Sequence, residues 1–125
     1  MDAFVPTTHA RIAQLLTLAN VGPGDRLVDL GSGDGRVLAA AEALGATAVG
    51  IEADADRAAT SAGTVIIGDV WQQDWTPYSV VFAAVSAQYR EPMVTRWRAL
   101  QHRAGDRLIL LADSTYAEVH LAAAD

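Results

Sequence analysis

Hydrophobic residues follow two patterns along this chain, a helical spacing and short continuous runs. In residues 8–20 the apolar positions Ile12, Leu15, Leu16 and Ala19 follow the spacing of an amphipathic helix. Short apolar runs bounded by glycine, proline or aspartate are typical of buried strands. Such strands are predicted at 27–30, 47–51, 64–67, 79–85 and 107–112. Further helices are predicted at 36–44, at 54–62, around 92–100 and at 115–123.

The alternation of strands with helices predicts an α/β fold, a Rossmann-like, doubly wound parallel sheet. A helix that joins two strands must cross over the sheet, which leaves those strands parallel. Residues 1–125 are expected to form a single domain, with no linker or low-complexity segment. The tetrapeptide Gly-Asp-Arg-Leu precedes the first predicted strand at 24–27 and the fifth at 105–108. We interpret this as one turn used twice, not as a duplication.

Composition narrows the classes of function. Of 125 residues, 51% are hydrophobic and 19% are charged, which is typical of a globular protein. The net charge of −6 disfavours binding to nucleic acid or to an anionic membrane, because both require clustered cations. The absence of cysteine removes disulfides, thiolate metal sites and a cysteine nucleophile. No metal site is expected, and the start of the sequence has no signal-peptide pattern, which favours the cytoplasm.

A glycine-rich loop follows the first predicted strand, and acidic residues follow the next two. Gly31, Gly33 and Gly35 alternate, which lets the backbone approach a ligand closely. Glu52 ends the second strand, where a carboxylate can accept hydrogen bonds from a ribose diol. Asp69 follows the third strand, in a position to accept from the amine of adenine. Open α/β sheets bind ligands at the carboxyl ends of their strands, so the three features together predict a ligand site.

Each of these features also has a purely structural explanation. The glycines can form a turn that binds nothing, Glu52 can be a solvated acid, and Asp69 can cap a turn or a helix. The loop ends one residue earlier than the dinucleotide fingerprint Gly-x-Gly-x-x-Gly, which argues against a nicotinamide dinucleotide enzyme. A Walker phosphate loop is excluded, since the chain has no lysine.

Three segments together resemble a class I S-adenosylmethionine-dependent methyltransferase. They read Leu-Val-Asp-Leu-Gly-Ser-Gly-Asp-Gly-Arg at 27–36, Val-Gly-Ile-Glu at 49–52 and Gly-Asp at 68–69. With Phe-Val-Pro-Thr at 4–7, the loop is similar to that of the small protein-lysine methyltransferases of archaea and their mitochondrial relatives. The resemblance implies S-adenosyl-L-methionine as cofactor and S-adenosyl-L-homocysteine as product.

The resemblance also implies which residues hold the cofactor. They are Pro6, Thr7, Asp29, Gly31, Ser32, Gly33, Gly35, Glu52, Ala53, Asp69, Val70 and Trp71. Glu52 would hold the ribose hydroxyls and Asp69 the adenine amine, while Val70 and Trp71 would flank the adenine ring. Pro6 and Thr7 would lie near the sulfonium. Trp71 is as readily an ordinary core residue.

The chain departs from the family at its end. Family members have seven strands, of which the last two form an antiparallel hairpin beside the fifth, whereas only residues 114–125 follow Asp113 here. We therefore expect five strands in the order 3-2-1-4-5, a short final helix and no hairpin. The apolar fifth strand would then be an open edge, covered by residues 114–125 or by a partner subunit in a homodimer.

Two further departures concern strand four and the second helix. Strand four ends in Phe-Ala-Ala-Val-Ser at 82–86 and lacks the Asp/Asn-Pro-Pro-Tyr/Phe motif found in many methyltransferases that act on nucleobase or glutamine amines. The missing cysteine excludes the covalent mechanism of cytosine-C5 methylation. The helix predicted at 54–62 is short, so one sheet face is expected to be thinly covered there.

The leading hypothesis is a methyltransferase that acts on the amine of a protein lysine or of a small molecule. Displacement at a sulfonium releases a neutral thioether, so no catalytic acid or base is required, and none is identified. Substrate-side candidates, each of which can also be a plain loop residue, are Ser86, Tyr89, Ser114 and Tyr116. His9 is expected near the cofactor, and His102 and His120 are interpreted as surface residues. The second hypothesis is a module that binds S-adenosylmethionine without turnover.

Overall fold

The computed structural model of the protein describes residues 7–113 and 116–122. The α-helices in these ranges are α1 (His9–Leu18), α2 (Arg36–Ala43), α3 (Ala55–Thr60) and α4 (Arg90–Ala99). The strands are β1 (Arg26–Leu30), β2 (Thr47–Glu52), β3 (Thr64–Ile67), β4 (Val80–Val85), β5 (Arg107–Ala112) and β6 (Tyr116–Leu121). Short 3₁₀ turns at Val70–Gln72 and Ala87–Tyr89 follow β3 and β4. None of the described helices has the length and apolar character needed to cross a bilayer.

The strands form one sheet, in the order β3-β2-β1-β4-β5-β6 among the described residues. The first five pair in parallel, which confirms the predicted α/β fold and the predicted order 3-2-1-4-5. β1 lies between β2 and β4, with Val28 opposite Val49 on one side and Val81 on the other. The carboxyl ends of β1, β2 and β4 therefore meet at one edge of the sheet, where such folds bind ligands.

The final segment is a strand and not the predicted helix. β6 pairs antiparallel with β5, with Leu111 opposite Ala117 and Ile109 opposite Val119. The expectation of a helix at 115–123 was wrong, and so was that of β5 as the open edge. The segment covers β5 because pairing satisfies a row of backbone groups that a helix would leave open. Of the two expected ways to cover β5, the structure uses the chain's own residues.

Helices cover the two faces of the sheet unequally. α1 and α2 pack on one face, in a core that includes Leu16, Leu38 and Phe82. α4 and the 3₁₀ turn at Val70–Gln72 pack on the other face, in a core that includes Trp97 and Val70. Each fully buried large apolar side chain contributes about 1.5–3 kcal/mol to stability.

The sheet is thinly covered at β3, as the short helix predicted. α3 buries none of its residues, because it has a single turn and a half of mostly small and polar side chains. Ile67 of β3 is 60% exposed, and Ile66 is also exposed. The β3 end of the sheet therefore contributes little to the core.

The two Gly-Asp-Arg-Leu segments form the same turn, which confirms the interpretation of the repeat. The Asp25 N–H donates to the Gly22 carbonyl at 3.1 Å, and the Asp25 carboxylate accepts from the Gly22 N–H at 3.0 Å. Asp106 makes the same pair of bonds with Arg103, at 3.1 and 2.9 Å. Both turns lie directly before a strand, at the amino edge of the sheet.

Candidate functional site

The glycine loop at 31–35 leads from β1 into α2 at the carboxyl edge of the sheet. All three of its glycines have positive φ, at +85° for Gly31, +56° for Gly33 and +85° for Gly35. A Cβ on Gly35 would lie 2.1 Å from the carbonyl oxygen of Ala62, so no side chain fits at that position. A Cβ on Gly33 would meet nothing within 4 Å, so its backbone faces open space. The loop is thus close-packed on one side and accessible on the other.

Two buried carboxylates, Asp29 and Glu52, lie beside this loop. Glu52 is 4% exposed, and its carboxylate accepts from the N–H of Gly33 at 3.0 Å and of Asp54 at 3.1 Å. The guanidinium of Arg57 lies 3.8 Å from the same carboxylate. Glu52 therefore joins the glycine loop to the end of β2. A ligand hydroxyl could reach the remaining lone pairs of its oxygens.

Asp29 differs from Glu52 in having no partner for its charge. It is 3% exposed, and its carboxylate makes no hydrogen bond or ion pair within residues 7–113 and 116–122. Burial raises its pKa well above the ordinary value, and the nearby negative charges of Glu52 and Asp34 raise it further. A buried acid without a partner costs stability when it ionises, so this position is better suited to binding than to holding the fold together.

Ser32 supplies a second unsatisfied polar group. Its Oγ is fully buried and has no hydrogen-bond partner within the described residues. The Ser32 N–H donates to the carbonyl of Ile51 at 3.1 Å, which ties the loop to β2. Gly50 makes room for the serine, because a Cβ there would lie 2.3 Å from the Ser32 Cβ. Ser32 thus lies in a close-fitting position with one bond unmade.

The chain before α1 closes the site from the opposite side. Thr7 is buried, and its carbonyl accepts from the Arg36 guanidinium at 2.9 Å. Arg36 also forms an ion pair of 2.7 Å with Asp34, which lowers the pKa of that carboxyl. The charge of His9 also lowers the pKa of Asp34, but His9 does not line the pocket described below. Pro6 lies outside the described residues.

These elements enclose a pocket of about 280 Å³. Of the predicted cofactor residues, those that line it are Thr7, Asp29, Gly31, Ser32, Gly33 and Glu52. Residues that the sequence reasoning did not single out also line it, namely Ile12, Asp34, Arg36, Val37, Arg57, Phe82 and Ala84. The ion pair of Asp34 and Arg36 could have been suspected from its place beside the loop. Phe82 and Ala84 alternate on β4, so their shared face was also detectable.

The other predicted cofactor residues lie around the pocket and not in its wall. Gly35 is buried beneath the loop, and Ala53 is exposed just after β2. The Asp69 carboxylate caps the following 3₁₀ turn by accepting from the Trp71 N–H at 2.9 Å. Asp69 therefore has the structural role of a turn cap whether or not it also binds a ligand. Val70 is buried in the core. The Gly68 N–H donates to the Glu52 carbonyl at 3.0 Å, which places this segment beside the pocket.

Trp71 is part of an aromatic cluster. Its ring lies 5.8 Å from that of Trp75, and the guanidinium of Arg96 lies over both rings, 4.4 Å from the Trp75 ring centre. Arg96 also donates to the backbone carbonyls of Trp71 and Gln73. Trp71 is half-buried against the core, so the core interpretation holds for part of its surface.

The substrate-side candidates lie at the same edge of the sheet but outside the pocket wall. Ser86 begins the 3₁₀ turn after β4, and its hydroxyl makes no capping bond there. Tyr89 packs against the core at the end of that turn. Tyr116 begins β6, opposite Ala112, and is exposed. Ser114 lies outside the described residues.

His102 and His120 are not surface residues, contrary to expectation. The His102 ring stacks on Trp97 at 4.1 Å and lies 3.4 Å from the Asp106 carboxylate. His120 lies 2.9 Å from the Glu118 carboxylate. Trp97 and neighbouring polar groups half-bury both rings, which the spacing of histidines in the sequence does not reveal. No group of three or more metal-ligand side chains occurs within the described residues.

Comparison with known proteins gives structural but not sequence relatives. No family model and no curated protein matches the sequence. An RNA methyltransferase from Salinibacter ruber, solved with S-adenosyl-L-homocysteine, matches with a TM-score of 0.77 and 27% identity, over 85% of this chain and 76% of that one. A dimethyladenosine transferase from Plasmodium falciparum matches with a TM-score of 0.67 and 14% identity, over 88% and 42% of the two chains.

A protein-L-isoaspartate O-methyltransferase matches with a TM-score of 0.65 and 18% identity, over 90% of this chain and 40% of that one. These structures confirm a methyltransferase-like fold. The chain spans about half or less of the two more distant structures. The names of the three proteins differ in substrate, so the shared fold does not identify what a protein of this kind methylates.

Proposed function

We propose that the chain binds S-adenosyl-L-methionine in the glycine-loop pocket and transfers its methyl group to an amine, of a protein lysine or of a small molecule. The observation that carries the proposal is one pocket in which Asp29 and Glu52 lie buried beside a loop of positive-φ glycines. The similarity to the Salinibacter ruber enzyme, whose structure contains S-adenosyl-L-homocysteine, supports the choice of cofactor.

The residues of the pocket fit a nucleoside cofactor with an amino-acid tail. The unpartnered Ser32 Oγ and the carboxyl group of Asp29 offer hydrogen-bonding capacity that the fold itself does not use. The open side of Gly33 admits close approach by a ligand. The pocket volume of about 280 Å³ is just below the range of about 300–1,000 Å³ that is typical of pockets for drug-sized ligands. Part of the cofactor would therefore lie against the neighbouring segment that contains Asp69 and Trp71.

Each element of the site then has a defined task. Glu52 accepts from the ribose hydroxyls, and Asp29 with the loop glycines binds the methionine portion. Asp69 accepts from the adenine amine with the carboxylate oxygen that does not cap Trp71. The apolar wall of Phe82 and Ala84 excludes water from the pocket. When bound, S-adenosylmethionine supplies an electrophilic methyl group on a sulfonium.

An amine substrate would approach from the carboxyl edge of the sheet. Its nitrogen must arrive deprotonated, and bulk water can take the proton, so the chain needs to position the amine and not to deprotonate it. Hydroxyl oxygens of Ser86, Tyr89 and Tyr116 lie on elements at that edge and are proposed to orient it. The net charge of −6 also favours a cationic substrate over RNA.

Calorimetric titration with S-adenosylmethionine and S-adenosylhomocysteine tests the binding site. Glu52→Gln should weaken both ligands at least about tenfold, because the amide keeps an acceptor for Gly33 but loses the second carboxylate oxygen. Glu42→Gln, on the exposed side of α2, is the matched control and should bind as wild type does. Binding of neither ligand to the folded protein, or equal affinity of wild type and Glu52→Gln, would refute the assignment.

Transfer of a labelled methyl group tests the substrate class. The protein is incubated with labelled cofactor and, separately, with a protein extract, a small-molecule amine extract and RNA. Label on lysine or on a small amine supports the proposal, whereas label on RNA alone contradicts it. Tight cofactor binding with no transfer to any of the three would favour the binding module without turnover.

A further inference from the structure

β6 is the last strand of the sheet, and one side of it is unpaired among the described residues. Its paired side faces β5, where the Ala122 N–H donates to the Asp106 carbonyl at 2.9 Å. Backbone groups of an antiparallel strand alternate in direction, so every second residue from Ala122 faces β5. The N–H and C=O groups of Ala117, Val119 and Leu121 therefore point away from the sheet.

The side chains along this edge are apolar on one face and charged on the other. Leu121 is 69% exposed and Val119 is 39% exposed, although both are large and apolar. Glu118 and His120 occupy the opposite face, where Glu118 pairs with Arg90 of α4 and with His120. The pairing with Arg90 lowers the pKa of Glu118, so that carboxyl stays ionised. An open edge with apolar side chains and free backbone groups is a template for another strand.

A second copy of β6 could pair with this edge in three antiparallel registers. The outward-facing residues must meet one another, and most of the strand is paired only when the twofold axis passes through Glu118, Val119 or His120. An axis at Glu118 opposes two carboxylates, and an axis at His120 opposes two imidazoles that each have an arginine nearby. An axis at Val119 places Glu118 opposite His120 of the partner subunit. Directly opposed like charges destabilise a strand pair, and a carboxylate opposite an imidazole can accept a hydrogen bond from it, so these polar groups select the third register.

We propose that two copies of this chain form a homodimer by antiparallel pairing of β6 with β6, with Val119 on the twofold axis. This register pairs Ala117 with the partner's Leu121, which covers both exposed apolar side chains. It also uses the whole of residues 116–122, whereas the other two registers leave an end of the strand unpaired. The sheets of the two subunits then become continuous. The glycine-loop pocket lies on the β1–β2 half of the sheet, so it stays open in the dimer.

Sedimentation velocity over about a hundredfold range of concentration tests the dimer, which is expected to be weak because edge pairing buries little surface. Wild type should shift from monomer to dimer within that range. Leu121→Lys should remain monomeric, since edge lysines prevent strand pairing. Ile67→Lys, equally exposed on β3 at the opposite edge of the sheet, is the matched control and should dimerise as wild type does.

Single cysteines test the register, because the chain has none of its own. In the proposed register Val119 lies directly opposite the partner's Val119, at a Cα separation of about 5.5 Å that a disulfide can span. Tyr116 lies about 20 Å from the partner's Tyr116. Under mild oxidation, Val119→Cys should give a cross-linked dimer and Tyr116→Cys should not.

Three results would overturn the proposal. They are a wild type that stays monomeric throughout, a dimer that Ile67→Lys disrupts and Leu121→Lys does not, and cross-linking through Tyr116→Cys in place of Val119→Cys. Thermal unfolding and far-ultraviolet circular dichroism of each variant show whether it is folded. The outcome does not depend on the proposed function, since none of these positions lies in the pocket.

Discussion

Acidic side chains with little exposure to solvent lie at both edges of the sheet, but their hydrogen-bond partners differ. At the amino edge, Asp25 accepts from the Gly22 N–H, from the Ser79 hydroxyl at 2.9 Å and from the Arg107 guanidinium at 2.8 Å. At the carboxyl edge, Asp29 has no such partner within the described residues. These two aspartates stand four residues apart, at opposite ends of β1.

The difference separates an aspartate whose polar contacts stabilise the fold from one whose carboxyl group is available to a ligand. The pKa of Asp25 is lowered: burial opposes this, but the hydrogen bonds from Arg107, Gly22 and Ser79 outweigh it. The pKa of Asp29 is raised, because burial acts there without any compensating donor. Unsatisfied buried groups are expected where a protein binds something, and satisfied groups where it only needs to fold.

The two aspartates at the amino edge, Asp25 and Asp106, have different partners, so their substitution should cost different amounts of stability. Asp25→Asn should lower the free energy of unfolding by about 3 kcal/mol, because it breaks a largely buried ion pair with Arg107. Asp106→Asn should cost only about 1 kcal/mol, since it weakens the bond from the Arg103 N–H and the contact with His102 but breaks no arginine ion pair. Urea unfolding at pH 7 measures both values. Equal losses would contradict the view that Arg107 makes the difference between the two turns.

Substitution of one glycine at each edge should have a smaller effect on stability. Gly24 and Gly33 both have positive φ, and a Cβ on either would meet nothing within 4 Å. Gly24→Ala and Gly33→Ala should therefore each cost about 1 kcal/mol of stability through backbone strain alone. Only Gly33→Ala should also weaken S-adenosylhomocysteine in a calorimetric titration. A loss of affinity in Gly24→Ala as well would mean that the effect is general destabilisation.

Asp29→Asn should leave stability unchanged or raise it by up to about 1 kcal/mol, since it removes a buried charge that has no partner. Cofactor affinity should nevertheless fall, because the carboxylate is lost from the pocket wall. Urea unfolding and calorimetry on the same sample separate the two effects. A clear loss of stability at pH 7 would show that Asp29 holds the fold after all.

The two edges should respond to acid with opposite signs. The lowered pKa of Asp25 means that its carboxylate stabilises the fold at any pH above the ordinary pKa of 3.8. The advantage of wild type over Asp25→Asn should therefore fade as the pH drops below 3.8 and through the lowered pKa. The folded protein favours the protonated form of Asp29, which raises its pKa. Wild type should therefore gain stability relative to Asp29→Asn as the pH falls from the raised pKa toward 3.8. Unfolding free energies at pH 7 and about pH 4 give the Asp29 difference, and a series from about pH 4 down to about pH 2 gives the Asp25 difference. The same sign in both pairs would contradict this assignment of the shifts.

The sequence by itself determined the parallel sheet, because apolar periodicity and turn residues are local signals. It also determined the glycine loop at 31–35, since a side chain at position 35 would collide with the backbone of Ala62. It predicted that Glu52 lies beside that loop, because the carboxyl ends of β1 and β2 must meet. It was wrong about the helix predicted at 115–123, because the strand Tyr116–Leu121 forms by pairing with the free edge of β5.

Only the tertiary structure decided which charged groups meet. Arg36 reaches the carbonyl of Thr7, and Arg107 reaches Asp25 across 82 residues of chain. The two Gly-Asp-Arg-Leu turns are identical locally, yet Arg107 forms an ion pair while Arg26 lies over the ring of Tyr78. Turn geometry follows from neighbours along the chain, whereas the partner of a long side chain is set by elements distant in sequence. For that reason the elements were predictable and their polar contacts were not.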